Sequence, residues 1–183
     1  RPPPLRRVAP APGPHPGRSY DDAFVMLVDQ DDTPFIIEPI HRILPRVRLD
    51  DIRAAARAIG ASFEFRPSFT RPREFETVVT DGEQWAVLRE QTGRTAVEWL
   101  HDRVLPALPR GPWDILFART TTEALHERQR RGGVALLLPA PEFVDVQRIA
   151  FQGRTMPEKA TSFQPKPSLG LDAQHPGLNE TGP

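Results

Sequence analysis

ILFARTTTEALHERQRRGGVALLLPAP, residues 115–141, reads as three consecutive elements. Ile115–Ala118 is a short apolar strand. Thr120-Thr121-Thr122-Glu123 has capping-box spacing, with a hydroxyl and a carboxylate placed to satisfy each other's backbone N–H groups, and it opens a helix that runs to Arg131. Arg128, Arg130 and Arg131 crowd the last turn, where the helix dipole favours cations, and Gly132-Gly133 stop it. Val134–Leu138 is a continuous apolar run, as expected for a strand covered on both faces. Strand, helix and strand in this order predict a right-handed parallel unit.

Working upstream, Ala23–Asp29 (AFVMLVD) is a strong strand signal. Gln30–Pro34 is a polar turn, and Phe35–Leu44 (FIIEPIHRIL) is a second apolar run. The two predict a hairpin, with Pro39 where no ladder donor is needed. Leu49–Ile59 carries Ile52, Ala56 and Ile59 on one helical face; Asp50 and Asp51 suit its positive end and Gly60 its exit. Ser62–Arg66 alternates as a strand. Glu74–Thr80 and Gln84–Glu90 flank Asp81-Gly82, which predicts a second hairpin. Thr95–Leu105 is a helix with Val97, Leu100 and Val104 inward and Pro106 ending it. Phe143–Phe151 is a last helix with Phe143, Val146 and Ala150 in line. The fold class is therefore mixed α/β (α+β): a mixed sheet with two hairpins and one strand–helix–strand unit.

Composition bounds what this framework can do. Of 183 residues, 38% are hydrophobic, below the globular norm, and the 22 prolines concentrate towards the ends. Arg1–Arg18 alone contains seven. Residues 1–19 and 168–183 are expected to be disordered tails around a domain at 20–167. Twenty-four basic and 24 acidic residues cancel, so no strong field steers the chain to nucleic acid or anionic lipid. With no cysteine there are no disulfides or thiolate metal sites. The five histidines lack helical metal-ligand spacing, so no metal site is expected. No apolar run approaches membrane-span length and no signal peptide is recognisable, which points to a cytoplasmic protein without membrane partners. Adjacent carboxylates such as Asp50-Asp51 point apart and do not make a catalytic dyad. Trp85, Trp99 and Trp113 read as core, and His101 and His126 as surface residues on helices.

Two places are candidates for chemistry. The first is Met156–Leu171, MPEKATSFQPKPSLGL. It contains both lysines of the chain, Lys159 and Lys166, together with Thr161 and backbone-stiffening prolines. Lysine ammonium groups on stiff backbone suit phosphate oxygens, with a threonine hydroxyl adding a hydrogen bond. The glycine spacing of a P-loop is absent. The bland alternative is a proline-rich loop with solvated lysines. The second is His41-Arg42 at the end of an apolar run; the alternative there is a satisfied histidine beside an arginine paired with Glu38 or an aspartate.

Three stretches resemble the family called domain of unknown function 1015: FVMLVDQDDTPFIIEPIHRIL (residues 24–44), the strand–helix–strand ending in VALLLPAP, and MPEKATSFQPKPSLGL. In the last, Met156, Pro157, Lys159, Thr161, Phe163, Pro165, Lys166, Pro167, Gly170 and Leu171 match the family's closing motif. Glu158 and Ala160 stand where that motif has proline and serine. The family's upstream Asp-Gly-His-His-Arg-Tyr motif has no counterpart here, so the resemblance implies the C-terminal part of a larger protein, with the missing N-terminal half as its partner. It further implies a ParB/sulfiredoxin-like relationship to nucleotide-dependent kinases of free serine. Lys159, Lys166 and Arg42 would then neutralise phosphate oxygens, with Thr161 donating a hydrogen bond and His41 beside them. ATP or ADP with Mg would be the cofactor of the whole protein, and the base and metal ligands would lie upstream. A small phosphorylated ligand is the expected partner and the chain alone is expected to be inactive. A non-catalytic nucleotide or phosphometabolite binding module, or an inactive truncated product, are the alternatives.

Overall fold

A computed structural model describes residues 36–89, 93–109, 111 and 114–164. The proline-rich start, the strand expected at 23–29, Trp113 and Lys166 lie outside the described residues.

The chain forms a mixed α+β fold. Its strands are β1 (Ile36–Glu38), β2 (His41–Leu44), β3 (Ser62–Arg66), β4 (Glu76–Thr80), β5 (Trp85–Arg89), β6 (Leu116–Ala118), β7 (Val134–Leu137) and β8 (Ser162–Gln164). Six of them form one sheet in the order β3-β5-β4-β7-β2-β6, while β1 and β8 form a separate two-stranded ribbon. Every described pairing is antiparallel.

The strand–helix–strand of residues 116–137 is present, but its strands are not neighbours. β2 lies between β6 and β7 and runs antiparallel to both, so they are parallel to each other with one strand interposed. The expected mixed sheet is thereby corrected to an antiparallel one. The inserted strand comes from a distant part of the chain, and local periodicity carries no information about it.

Helix α1 (Leu49–Ala58) starts where the Asp51 carboxylate accepts from Arg48 N–H at 2.9 Å. It buries Leu49, Ile52, Ala55 and Ala56. Helix α2 begins as Ala96–Trp99, widens into a π-helical stretch at Leu100–Val104 and closes as Leu105–Ala107. Leu105 N–H reaches back five residues to Leu100 O. Pro106 therefore does not end the helix as expected. Its missing N–H and bulky ring are accommodated by widening the turn before it. Helix α3 (Thr121–Arg131) is capped by Thr120, whose Oγ1 accepts from Glu123 N–H at 3.1 Å. Helix α4 (Phe143–Phe151) buries Ile149, whereas Ala150, expected inward, is exposed.

The β4–β5 hairpin pairs Thr80 with Trp85 across the four residues 81–84. Asp81 Oδ1 accepts from Glu83 N–H and Gln84 N–H, and Gly82 takes φ +92, so the Asp-Gly signal is used in a longer loop than a two-residue turn.

Helices α1 and α2 cover one face of the six-stranded sheet, packing on Leu44, Val79, Leu88, Leu136 and Leu138. On the other face Ala124 of α3 packs with Ile43, Val78, Val87, Ala118, Ala135 and Leu137. Leu44 and Ile43 thus point to opposite faces, and so do their neighbours Arg42 and His41.

Candidate functional site

β2 is buried along its whole length, histidine and arginine included. Its two polar side chains serve different sides of the sheet. His41 Nδ1 accepts the N–H of Leu138 at 3.2 Å, so in the neutral ring the proton sits on Nε2, which donates to Thr121 Oγ1 at 3.3 Å. Burial, reinforced by the neighbouring Arg42 charge and opposed by Glu123, lowers the His41 pKa to about 4. His41 is therefore a neutral strut joining β2, the end of β7 and the first turn of α3.

Arg42 is fully buried. Among the described residues no carboxylate pairs with it, and the expectation of a Glu38 or aspartate partner is not met. Its Nη2 donates to Glu158 O at 3.0 Å and Lys159 O at 3.1 Å, its Nη1 to Ile40 O, and its Nε to His101 Nε2 at 3.2 Å. The guanidinium also lies over the Phe117 ring, 5.4 Å from its centroid. Burial lowers the Arg42 pKa to about 10, which leaves it charged at neutral pH. Carbonyl dipoles, an imidazole and a ring face replace water around the cation.

His101, read from the sequence as a surface residue, is instead part of this arrangement. The π-helical stretch carries it, and because its Nε2 accepts from Arg42 its own proton is on Nδ1. Burial first, and the Arg42 charge second, lower its pKa to about 4 against the opposing pull of Asp102. No sequence signal marked it, because a histidine 59 positions from Arg42 meets it only through the tertiary fold. His126 is exposed, as expected.

The closing segment is placed as far as Gln164. Lys159 adopts φ +52, a left-handed conformation unusual for a side-chain-bearing residue, and its side chain is exposed. Ala160 is buried in the core against α1 and α2. Ser162 pairs with Glu38 in the β1–β8 ribbon. Thr161, just before β8, is half-buried. The structure thus brings Arg42 to the backbone of Lys159, with His41 on the other face of the sheet.

Pro39 and His41 also line an open cleft of about 570 Å³ that the sequence did not point to. Its polar walls are Arg71, Arg119, Thr120 and Thr121, and its apolar walls are Phe69, Pro72, Leu138, Pro139 and Ala140. The N-terminus of α3 opens onto it, where the dipole favours an anion, although Glu123 already takes the Arg119 N–H at 2.8 Å. Phe69 is 43% exposed and packs on Trp85, ring centroids 5.3 Å apart. A smaller polar hollow of about 290 Å³ lies beside His101, walled by Glu98, Asp102 and residues 154–158. There the buried Glu98 carboxylate binds Arg154 at 2.8 Å.

Among the described residues no three carboxylate or histidine side chains gather as a metal-holding group would. No helix among them is long and apolar enough to cross a membrane.

The antiparallel six-stranded sheet layered between helices is an arrangement this chain shares with solved proteins. Solved structures carry the likeness. A mutant free serine kinase in complex with AMP aligns with TM-score 0.54 at 10% identity, over 75% of this chain and 57% of its own. The same kinase with ADP gives 0.53 at 10% identity, over 75% and 57%. A conserved hypothetical protein from Pyrococcus furiosus gives 0.56 at 11% identity, over 75% and 60%. The chain thus spans less than two thirds of the length of these structures. No protein-family model matches the sequence, and no curated protein matches it.

Proposed function

We propose that this chain supplies the phosphate-binding part of a nucleotide-dependent phosphotransferase acting on a small hydroxyl substrate, and that it is the C-terminal portion of a domain of unknown function 1015 protein. The observation that carries the reading is the cleft at the N-terminus of α3. Two arginines, two threonine hydroxyls and a helix end converge there, beside an exposed phenylalanine on which a base could stack. Its size suits a nucleotide. The fold likeness to a kinase solved with AMP and ADP supports the same ligand class. Lys159 and Thr161 are not among the described residues lining this cleft; in this reading they and Lys166 add cationic and hydrogen-bonding groups from the closing segment where the ligand extends beyond it.

The share of this chain is charge neutralisation and positioning, which dominate phosphoryl transfer. Among the described residues no carboxylate lines the cleft, and His41, with both ring nitrogens committed, is not a free base. The base that activates the hydroxyl belongs to the rest of the protein, so the chain alone binds without turning over.

Isothermal titration with ADP and ATP, with and without magnesium, tests this. Saturable heat that falls about tenfold in affinity for Arg119→Ala and Arg71→Ala supports it. The absence of heat with either nucleotide, up to millimolar concentration, refutes it.

A further inference from the structure

We infer that Arg42 is a positioning residue, which sets the turn carrying Lys159 and never meets the ligand itself. This rests on the reading that the chain binds a phosphate-bearing ligand with Lys159 among its contacts.

A residue that neutralised phosphate would have to expose part of its guanidinium. Arg42 is 0% exposed. Both N–H groups of Nη2 are taken by successive carbonyls of the turn, Glu158 and Lys159, and Nε is taken by His101. One planar fork thereby ties together β2, the π-helical stretch of α2 and the closing segment. These two carbonyls belong to the peptide units on either side of the left-handed Lys159, so the fork holds both of its flanks. A left-handed residue other than glycine persists only where its surroundings hold it. Arg42 is the holding group, and the ammonium of Lys159 is aimed by it. Lysine at position 42 could not reproduce the arrangement, because an ammonium lacks the planar fork that reaches two carbonyls and an imidazole together.

Two measurements test this. In the first, hydrogen exchange compares the wild-type chain with Arg42→Met and Arg42→Lys. Faster exchange confined to residues 156–161 supports positioning; unchanged exchange there overturns it. Arg42→Lys serves if Arg42→Met does not fold. The second is a double-mutant cycle on ADP affinity with Lys159→Ala. If Arg42 acts through Lys159, each single variant weakens binding by about tenfold and the double variant is no weaker than either one. If Arg42 touches the ligand, the losses multiply to about a hundredfold, which overturns the inference. Wild-type protein that binds no ADP refutes the proposed function instead, and the exchange experiment still decides the role of Arg42.

Discussion

Acidification should unfold this protein through two histidines, and the cost can be worked from their surroundings. His41 and His101 have pKa values lowered from 6.5 to about 4, chiefly by burial and next by Arg42. Each is also bonded in a way that requires an unprotonated nitrogen, from Leu138 N–H in one case and Arg42 Nε–H in the other. In the unfolded chain both rings take up protons below about pH 6.5, whereas in the native state they do not until about pH 4. The stability they contribute is therefore whole above their ordinary value and is lost as the pH falls through this window. At about pH 5 the unfolded ring is protonated by about 30 to 1 and the native ring is still about 10 to 1 neutral, a loss of about 2 kcal/mol per ring. His101 is only partly buried, so for it the figure is a ceiling.

The assay is urea denaturation at about pH 7 and about pH 5. Wild type is compared with His41→Asn, whose Oδ1 can accept from Leu138 N–H, with His101→Gln, whose Oε1 can accept from Arg42, and with the double variant. Carboxylates titrate in the same range, but they do so in all four proteins. The loss between the two pH values should be smaller in the double variant than in wild type by about 3–4 kcal/mol. An identical loss in wild type and double variant would refute the reasoning, because the rings would then bind protons equally in both states.

Three further outcomes are expected. ADP binding should weaken with added salt, and Arg119→Ala should flatten that dependence, measured by titration at two ionic strengths. Gly133→Ala should cost more than about 2 kcal/mol in thermal or urea melts, because Gly133 sits at φ +77 and a Cβ there would strike the backbone of Leu44 and Pro45. Thr77→Val should stabilise by about 1 kcal/mol in the same melts, because the Thr77 hydroxyl is buried in β4 without a hydrogen-bond partner while valine keeps the shape.

Local chemistry wrote several elements legibly. Helix α3 begins at the threonine cap and ends at the glycine pair read from the sequence, and Gly132 takes φ +76 as a helix exit requires. The Ser62–Arg66 strand has the bounds its alternation suggested. Pro106 lies inside a helix because a proline forbids one hydrogen bond but does not dictate whether the helix stops or widens. Periodicity marks strands without naming their neighbours, so it does not tell that β2 separates β6 from β7.

For the site, residue types alone single out His41-Arg42 and the lysine segment. That β2 is buried on both faces and sends its histidine to α3 and its arginine to the closing turn follows only from strand order, with β7 on one side and β6 on the other. Arg71 and Arg119 share a cleft because a loop after β3 and the start of α3 converge, from positions far apart in the chain. His101 reaches Arg42 across 59 positions through the π-helical turn. Sequence alone determined which segments form helices and strands, because capping, turn chemistry and periodicity act over a few residues. Only the tertiary structure decided what each polar side chain faces, because burial and partners are set by contacts between segments that carry no mark of each other.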